Sequence, residues 1–161
     1  MKTLIVYDSY FGNTEQIARA IAAAFDPGEC LGVIRVDEVV PEQLAAADLL
    51  IAGSPTRAFR PSDGTRAFLK NLPAGALAGR SVAAFDTRLD AEQAPSALLK
   101  FLVKLFGYAA KPIAGGLAKK GGRVVAEPEG FLVDGSEGPL REGELERAEN
   151  WARSVRAAAA G

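Results

Sequence analysis

Short, unbroken apolar runs alternate along this chain with longer stretches in which apolar residues recur every three or four positions. The short runs lie at 4–7, 31–36, 48–53, 81–85 and 123–127. Runs of this kind predict strands buried on both faces. After the first, Ile17, Ala20, Ile21, Ala24 and Phe25 share one helical face, and Asp26-Pro27-Gly28 ends that helix. Helices are also predicted over 42–47 and 63–71, the second with Ala67 and Phe68 inward. The stretch 97–109 is strongly apolar, with Leu98, Phe101, Leu102, Leu105 and Phe106 at helical spacing. Lys111-Pro112 breaks or restarts it, and a further piece runs to 120. Pro128-Glu129-Gly130 interrupts the fifth strand before Phe131-Leu132-Val133 resumes it. A last helix over 141–158 places Leu145, Ala148, Trp151, Ala152 and Val155 on one face, Trp151 as core packing, with 157–160 fraying.

Strand and helix thus alternate five times. That order predicts an α/β fold, a parallel sheet covered by helices on both sides and joined by right-handed crossovers. No repeat or interdomain linker interrupts the pattern, so 1–161 reads as a single domain.

In such sheets, ligands bind outside the carboxyl ends of the strands, where strand order reverses. The loop leaving the first strand is Ser9-Tyr10-Phe11-Gly12-Asn13-Thr14. Ser9, Asn13 and Thr14 carry side-chain donors, Gly12 lets the backbone approach a ligand, and the following helix begins with a positive dipole end. Together they predict a site for a terminal phosphate. The simpler alternative is that Asn13 or Thr14 only caps a helix. The loop lacks the Gly-Lys-Ser/Thr of a Walker A motif and the G-x-G-x-x-G of a dinucleotide fold.

Composition narrows the chemistry. Nineteen Lys and Arg against twenty Asp and Glu give a formal charge of −1, which predicts no nucleic-acid partner and no broad attraction to an acidic membrane. One cysteine, Cys30, excludes an internal disulfide and points to a reducing cytoplasm. With no histidine and one thiol, no metal site is expected, and histidine-based hydrolysis is excluded. The apolar segment 3–7 is too short for a targeting peptide, and no stretch approaches a membrane span. A bound organic cofactor fits a chain so poor in reactive side chains.

The first loop, running into Glu15, resembles the phosphate loop of the flavodoxin family, which ends in Gly-Asn-Thr. The resemblance extends over nearly the whole chain, including 131–135, Gly138-Pro139-Leu140 and Gly143-Glu144-Leu145. It implies FMN as cofactor in a three-layer, doubly wound, five-stranded parallel sheet of strand order 2-1-3-4-5. It implies that a second loop, containing Ser54, Pro55, Thr56, Arg57 and Phe59, lies along one face of the flavin, with Ser54 and Thr56 as polar contacts. It implies that a third loop, starting at Asp86, Thr87 and Arg88, supplies backbone contacts to the pyrimidine edge; the alternative is that Asp86 caps a helix or turn.

Two departures from the family pattern stand out. Many flavodoxins sandwich the ring between two aromatic side chains. Here Arg57 takes the inner position, with Phe59 two residues on, and no aromatic residue occurs from Asp86 to Pro95. The family's flavin is usually ringed by acidic residues, whereas Arg57, Arg60, Arg66 and Arg88 cluster in or beside these loops. Such a rim favours the anionic reduced flavin and an acidic redox partner or anionic substrate. The function implied is electron transfer between redox partners. The alternative is FMN-dependent reduction of a quinone or other small acceptor. A phosphoacceptor receiver shares the architecture and has an acid at Asp8, but it wants an aspartate where Gly53-Ser54 stand and a lysine where Ala126-Glu127 stand.

Overall fold

The computed structural model describes residues 1–161. Its sheet is built from β1 (Thr3–Tyr7), β2 (Cys30–Arg35), β3 (Leu49–Arg57), β5 (Ser81–Leu89) and a last position shared by β6 (Arg123–Val124) and β7 (Glu129–Val133). The order across the sheet is β2-β1-β3-β5-β6, with β7 also on β5, and all of these pairings are parallel. This is the expected doubly wound order, with the expected fourth and fifth strands appearing as β5 and as β6 with β7. A short β4 (Arg60–Pro61) folds back antiparallel onto β3 as a hairpin.

Successive strand residues point to opposite faces, so each run must satisfy two layers. Leu4, Val6, Leu50, Ala52, Val82 and Ala84 face one side. There they meet α3 (Asp63–Asn71) and α5 (Ala110–Lys119) through Phe68, Leu69, Ile113 and Leu117, with Leu44 of α2 (Pro41–Ala46) at the margin. Ile5, Tyr7, Leu49, Ile51, Ala83 and Phe85 face the other. They meet Ile17 and Ile21 of α1 (Asn13–Ala23) and Ala148, Ala152 and Val155 of α6 (Glu144–Ala160). Phe85, Phe131 and Trp151 close this second layer edge-to-face, with centroids 6.1–6.2 Å apart. Trp151 is core packing, as expected. No helix is long and apolar enough to cross a membrane.

Several expected boundaries shift. The third and fourth strands run past Gly53 and Phe85, so 54–57 and 86–89 are strand rather than loop. The last strand breaks at 125–128, ahead of Glu129 and Gly130, which belong to β7; Pro128 has no N–H to give the ladder. In α3 the half-buried residues are Phe68 and Leu69, and Ala67 is exposed. The apolar stretch after 96 makes a separate helix, α4 (Ala97–Phe106), none of whose residues is buried. The last helix starts at Glu144 and continues to Ala160, and Leu145 is exposed.

Two close contacts hold the centre and edge of the sheet. A Cβ on Gly53 would lie 2.0 Å from the ring of the fully buried Phe85, so only glycine fits there. The Glu144 carboxylate, 6% exposed, accepts the Leu132 N–H at 2.6 Å and pairs with Arg147 at 2.5 Å, pinning β7 to α6. Burial raises its pKa, but Arg147 and the Leu132 amide outweigh burial and hold it below the ordinary carboxylate value.

Two outcomes follow. Gly53→Ala should lower stability by about 3 kcal/mol, the upper range for overpacking a tight core, seen as an earlier urea midpoint at unchanged slope. Because the folded pKa of Glu144 is depressed, its contribution is present above the unfolded value of about 4.3 and is lost as pH falls through the folded value. Urea melts on either side of that window should show this acid-side loss, and Glu144→Gln should make it shallower.

Candidate functional site

At the carboxyl edge, β1 ends in Asp8, whose buried carboxylate organises the first loop. It accepts the Ser9 N–H at 2.9 Å, the Ser62 hydroxyl at 2.6 Å and Arg35 at 2.8 Å. Ser9 Oγ in turn accepts the Gly12 N–H at 3.0 Å. Gly12, at φ +87°, is the residue before α1, and no side chain caps this helix. α6 likewise starts after a left-handed glycine, Gly143, without a side-chain cap, whereas α3 and α4 are capped. Ser62 accepts the Thr65 N–H of α3 at 3.2 Å, and Ser96 accepts the Leu99 N–H of α4 at 3.1 Å. The first N–H groups of α1 have no intrahelical acceptor and keep their partial positive charge for an anion.

Asn13 and Thr14 do not cap the helix. Asn13 Nδ2 donates to the Glu137 carbonyl at 3.0 Å, and the Thr14 and Thr87 hydroxyls bond at 2.8 Å, tying the loop to β5. Arg57, at the end of β3, lies across the loop with its guanidinium 5.1 Å from the ring centroids of both Tyr10 and Phe11. Ser9, Asn13, Thr14, Thr56, Arg57 and Thr87 surround a pocket of about 80 Å³, with Tyr10, Phe11, Pro55 and Arg88 also on its wall. That is room for a phosphate end and not for a ring system.

A second cavity, of about 360 Å³, shares Thr56 and Leu89 with the first. Its walls are mainly apolar: Phe59 and Ala58 from the hairpin tip, Ala91 and Pro95 after β5, Leu99 and Val103 of α4, and Tyr108. The hairpin turn places Ala58 and Phe59 at φ 46° and 65°, left-handed conformations that cost on the order of 1 kcal/mol or more each. The turn carries Phe59 onto Phe106, with centroids 5.8 Å apart. A roomier cleft of about 640 Å³, between the hairpin, α3 and Pro112, is open, carries Arg60, Asp63, Arg66 and Lys70 on its wall, and has no aromatic side chain.

Three of the expected residues make contacts within the protein. Asp86 is fully buried within β5 and lines neither cavity. It accepts Arg88 Nε at 2.6 Å, Arg88 Nη2 at 2.8 Å and the Ala110 N–H at 2.7 Å, so it caps α5. Burial raises its pKa, with Arg88 and the Ala110 amide opposing. Ser54 is fully buried and accepts the Ser62 N–H at 2.9 Å, holding the hairpin rather than a ligand. Arg88 is neutralised by Asp86 and lies 3.8 Å from the Tyr108 ring centroid. Arg66 is likewise paired, with Asp63 at 2.9 Å. Of the four arginines expected at the rim, Arg57 and Arg60 alone have no carboxylate partner.

Sequence reasoning missed Leu89, Pro95, Leu99, Val103 and Tyr108. Tyr108 is the aromatic side chain absent from 86–95. It arrives from beyond α4, after Gly107 at φ +74° turns the chain back, and no short-range signal marks it. No three His, Cys, Asp or Glu side chains gather as a metal site.

The two cavities thus differ, one small with polar side chains around it and one larger and mainly apolar. Residues 5–151 match the family model described as flavodoxin. No curated protein sequence matches the chain at a significant level. Among solved structures, oxidised flavodoxin 2 from Bacillus cereus is similar at 24% identity and a TM-score of 0.75, over 98% of this chain and 99% of that one. A flavodoxin, WrbA-like protein from Agrobacterium tumefaciens is similar at 20% identity and a TM-score of 0.72, over 99% and 97%. Rubredoxin:oxygen oxidoreductase from Desulfovibrio gigas matches at 22% identity and a TM-score of 0.69, over 99% of this chain but 36% of its own. These likenesses establish the shared fold, and the family match establishes more: this chain belongs to the flavodoxin family, whose cofactor is FMN.

Proposed function

We propose that the chain, as one domain, is an FMN-binding electron carrier that passes electrons between redox partners. One observation carries this reading. The uncapped start of α1, with Arg57 beside it, adjoins across Thr56 and Leu89 an apolar cavity walled by Phe59 and Tyr108. The α1 amides, Ser9, Asn13 and Thr14 hold the phosphate, and Phe59, Leu99 and Tyr108 enclose the ring. When bound, FMN supplies one- and two-electron transfer; the protein supplies position, potential and exclusion of water.

The side chains around the cavity support a carrier better than a quinone-reducing enzyme. Asp86 is sealed off by its three donors. Asp90 and Asp134 both pair with Arg141 at 3.0 Å. Burial pushes the Tyr108 hydroxyl's pKa up, away from the neutral range. The cavity thus offers no group poised to deliver a proton to a substrate.

The phosphate is the part to test. Titrations followed by visible absorbance should show FMN binding at least roughly 100-fold tighter than riboflavin, since the lost contacts are charge-assisted. Equal affinity for the two would overturn the assignment of the first loop. Arg57→Ala should weaken FMN binding by about tenfold and lower the potential for adding the second electron by tens of millivolts, roughly, because a cation near the reduced anion is removed. Spectroelectrochemistry reads the second effect; an unchanged potential would confine Arg57 to the phosphate.

A further inference from the structure

Helix α4 is covered on one side only. Leu99, Leu102 and Val103 are half-buried toward the body of the protein, and Leu99 and Val103 wall the cavity. Leu98, Phe101 and Leu105, spaced i, i+3 and i+7, share the opposite face and are 67%, 59% and 62% exposed; Phe106 adds 60% at the end of the helix. A solvent-facing surface of this kind ordinarily carries charge, and a patch of large apolar side chains at this exposure marks a docking site.

What docks there follows from composition and charge. The charged residues of α4 are Lys100 and Lys104, both exposed. Both lie in a stretch, 93–126, that contains no Asp or Glu; its other cations are Lys111 at the start of α5 and Lys119, Lys120 and Arg123, which sit at the opposite edge of the sheet, where the Lys120 carbonyl accepts the Leu77 N–H and Arg123 pairs with Ser81 at the start of β5. Beside α4, Glu92 lines a groove with Lys100, Phe101 and Lys104, so two lysines against one acid give this face its positive balance. Protein-binding hot spots favour Tyr, Trp and Arg, and protein interfaces are depleted in Lys. An outer face made of Leu, Phe and Lys is the composition of a helix lying in a lipid headgroup region, where lysine stems follow the apolar surface and their ammonium groups reach lipid phosphates.

We propose that α4 lays its outer face on an anionic lipid bilayer, holding the mouth of the flavin cavity at the membrane surface. The contact is peripheral, and it replaces the expectation from net charge that membranes play no part. It rests on the helix surface and does not require bound flavin.

The experiment is co-sedimentation of the full chain, with and without FMN, with two kinds of vesicle. One is pure phosphatidylcholine; the other contains about one-quarter phosphatidylglycerol. Binding should appear with the anionic vesicles, weaken at high salt, and be roughly tenfold or more lower with phosphatidylcholine alone. Lys100→Glu/Lys104→Glu should lower the partition by at least about tenfold, and Phe101→Ser/Leu105→Ser by a similar factor. All four positions are exposed, so far-UV circular dichroism and the thermal midpoint should stay those of the parent protein. Arg19→Glu, on α1, should leave binding unchanged. No association with anionic vesicles, or association that survives both double variants, overturns the proposal; in the first case the face is left for a protein partner.

Discussion

The carboxyl edge of this molecule depends on the long parallel pairing of β3 with β5. These two strands stay in register from Leu49 with Ser81 to Pro55 with Thr87. The β1–β3 pairing stops earlier, at Tyr7 with Gly53. The central pair therefore projects past the core, and everything built on the edge hangs from that projection. Thr56 accepts the Ala109 N–H at 3.0 Å, and Asp86 accepts the neighbouring Ala110 N–H, so both strands hold the start of α5. Thr87 reaches Thr14, tying the projection to the phosphate loop. Asp86 is the costliest member of this set. A carboxylate without solvent is tolerable only when its acceptor sites are filled, and Arg88 and the helix amide fill them. Losing Arg88 would leave an uncompensated charge where β5 meets α5.

This projection also explains which parts of the structure were legible in the sequence. A strand buried on both faces needs an uninterrupted apolar run, and β1 and the core parts of β3 and β5 were visible for that reason; the runs at β2 and β6 were visible too, but β2 is only half-buried and β6 is exposed. Beyond the core β3 and β5 carry Ser54, Thr56, Asp86 and Arg88, residue types that read as loop because their partners are polar and lie far away in sequence. Asp86 read equally as a cap, and it caps α5 from within β5. As strand residues two apart, Asp86 and Arg88 share one face and pair with each other. The phosphate loop was readable because its chemistry is local: a strand end, a glycine and a helix start within six residues. The ring cavity was not, since Tyr108 and the inner face of α4 join it only through tertiary packing. Periodicity showed that α4 is a helix; with apolar residues on nearly every side, it could not show which face would be covered.

Charge supplies the last constraint. The acid-free stretch 93–126 is followed by 127–150, which holds Glu127, Glu129, Asp134, Glu137, Glu142, Glu144, Glu146 and Glu149 against Arg141 and Arg147. The fold does not keep that division. Lys119, Lys120 and Arg123 lie at the amino edge of the sheet, where the Lys120 carbonyl accepts the Leu77 N–H and Arg123 pairs with Ser81 at the start of β5, while Asp90 and Asp134 stand on the cavity wall, both paired with Arg141. The positive charge beside the exposed leucines and phenylalanines is that of Lys100 and Lys104, with Glu92 next to them. Arg57 is the one cation on the wall of the phosphate pocket without a carboxylate partner, so its charge is left for the cofactor. The charge proposed to meet an anionic surface, on Lys100 and Lys104, is thus separate from the Arg57 charge left for the cofactor. Removing the two lysines or the apolar stripe of α4 should weaken docking alone, whereas removing Arg57 should weaken the hold on the cofactor and leave docking unchanged.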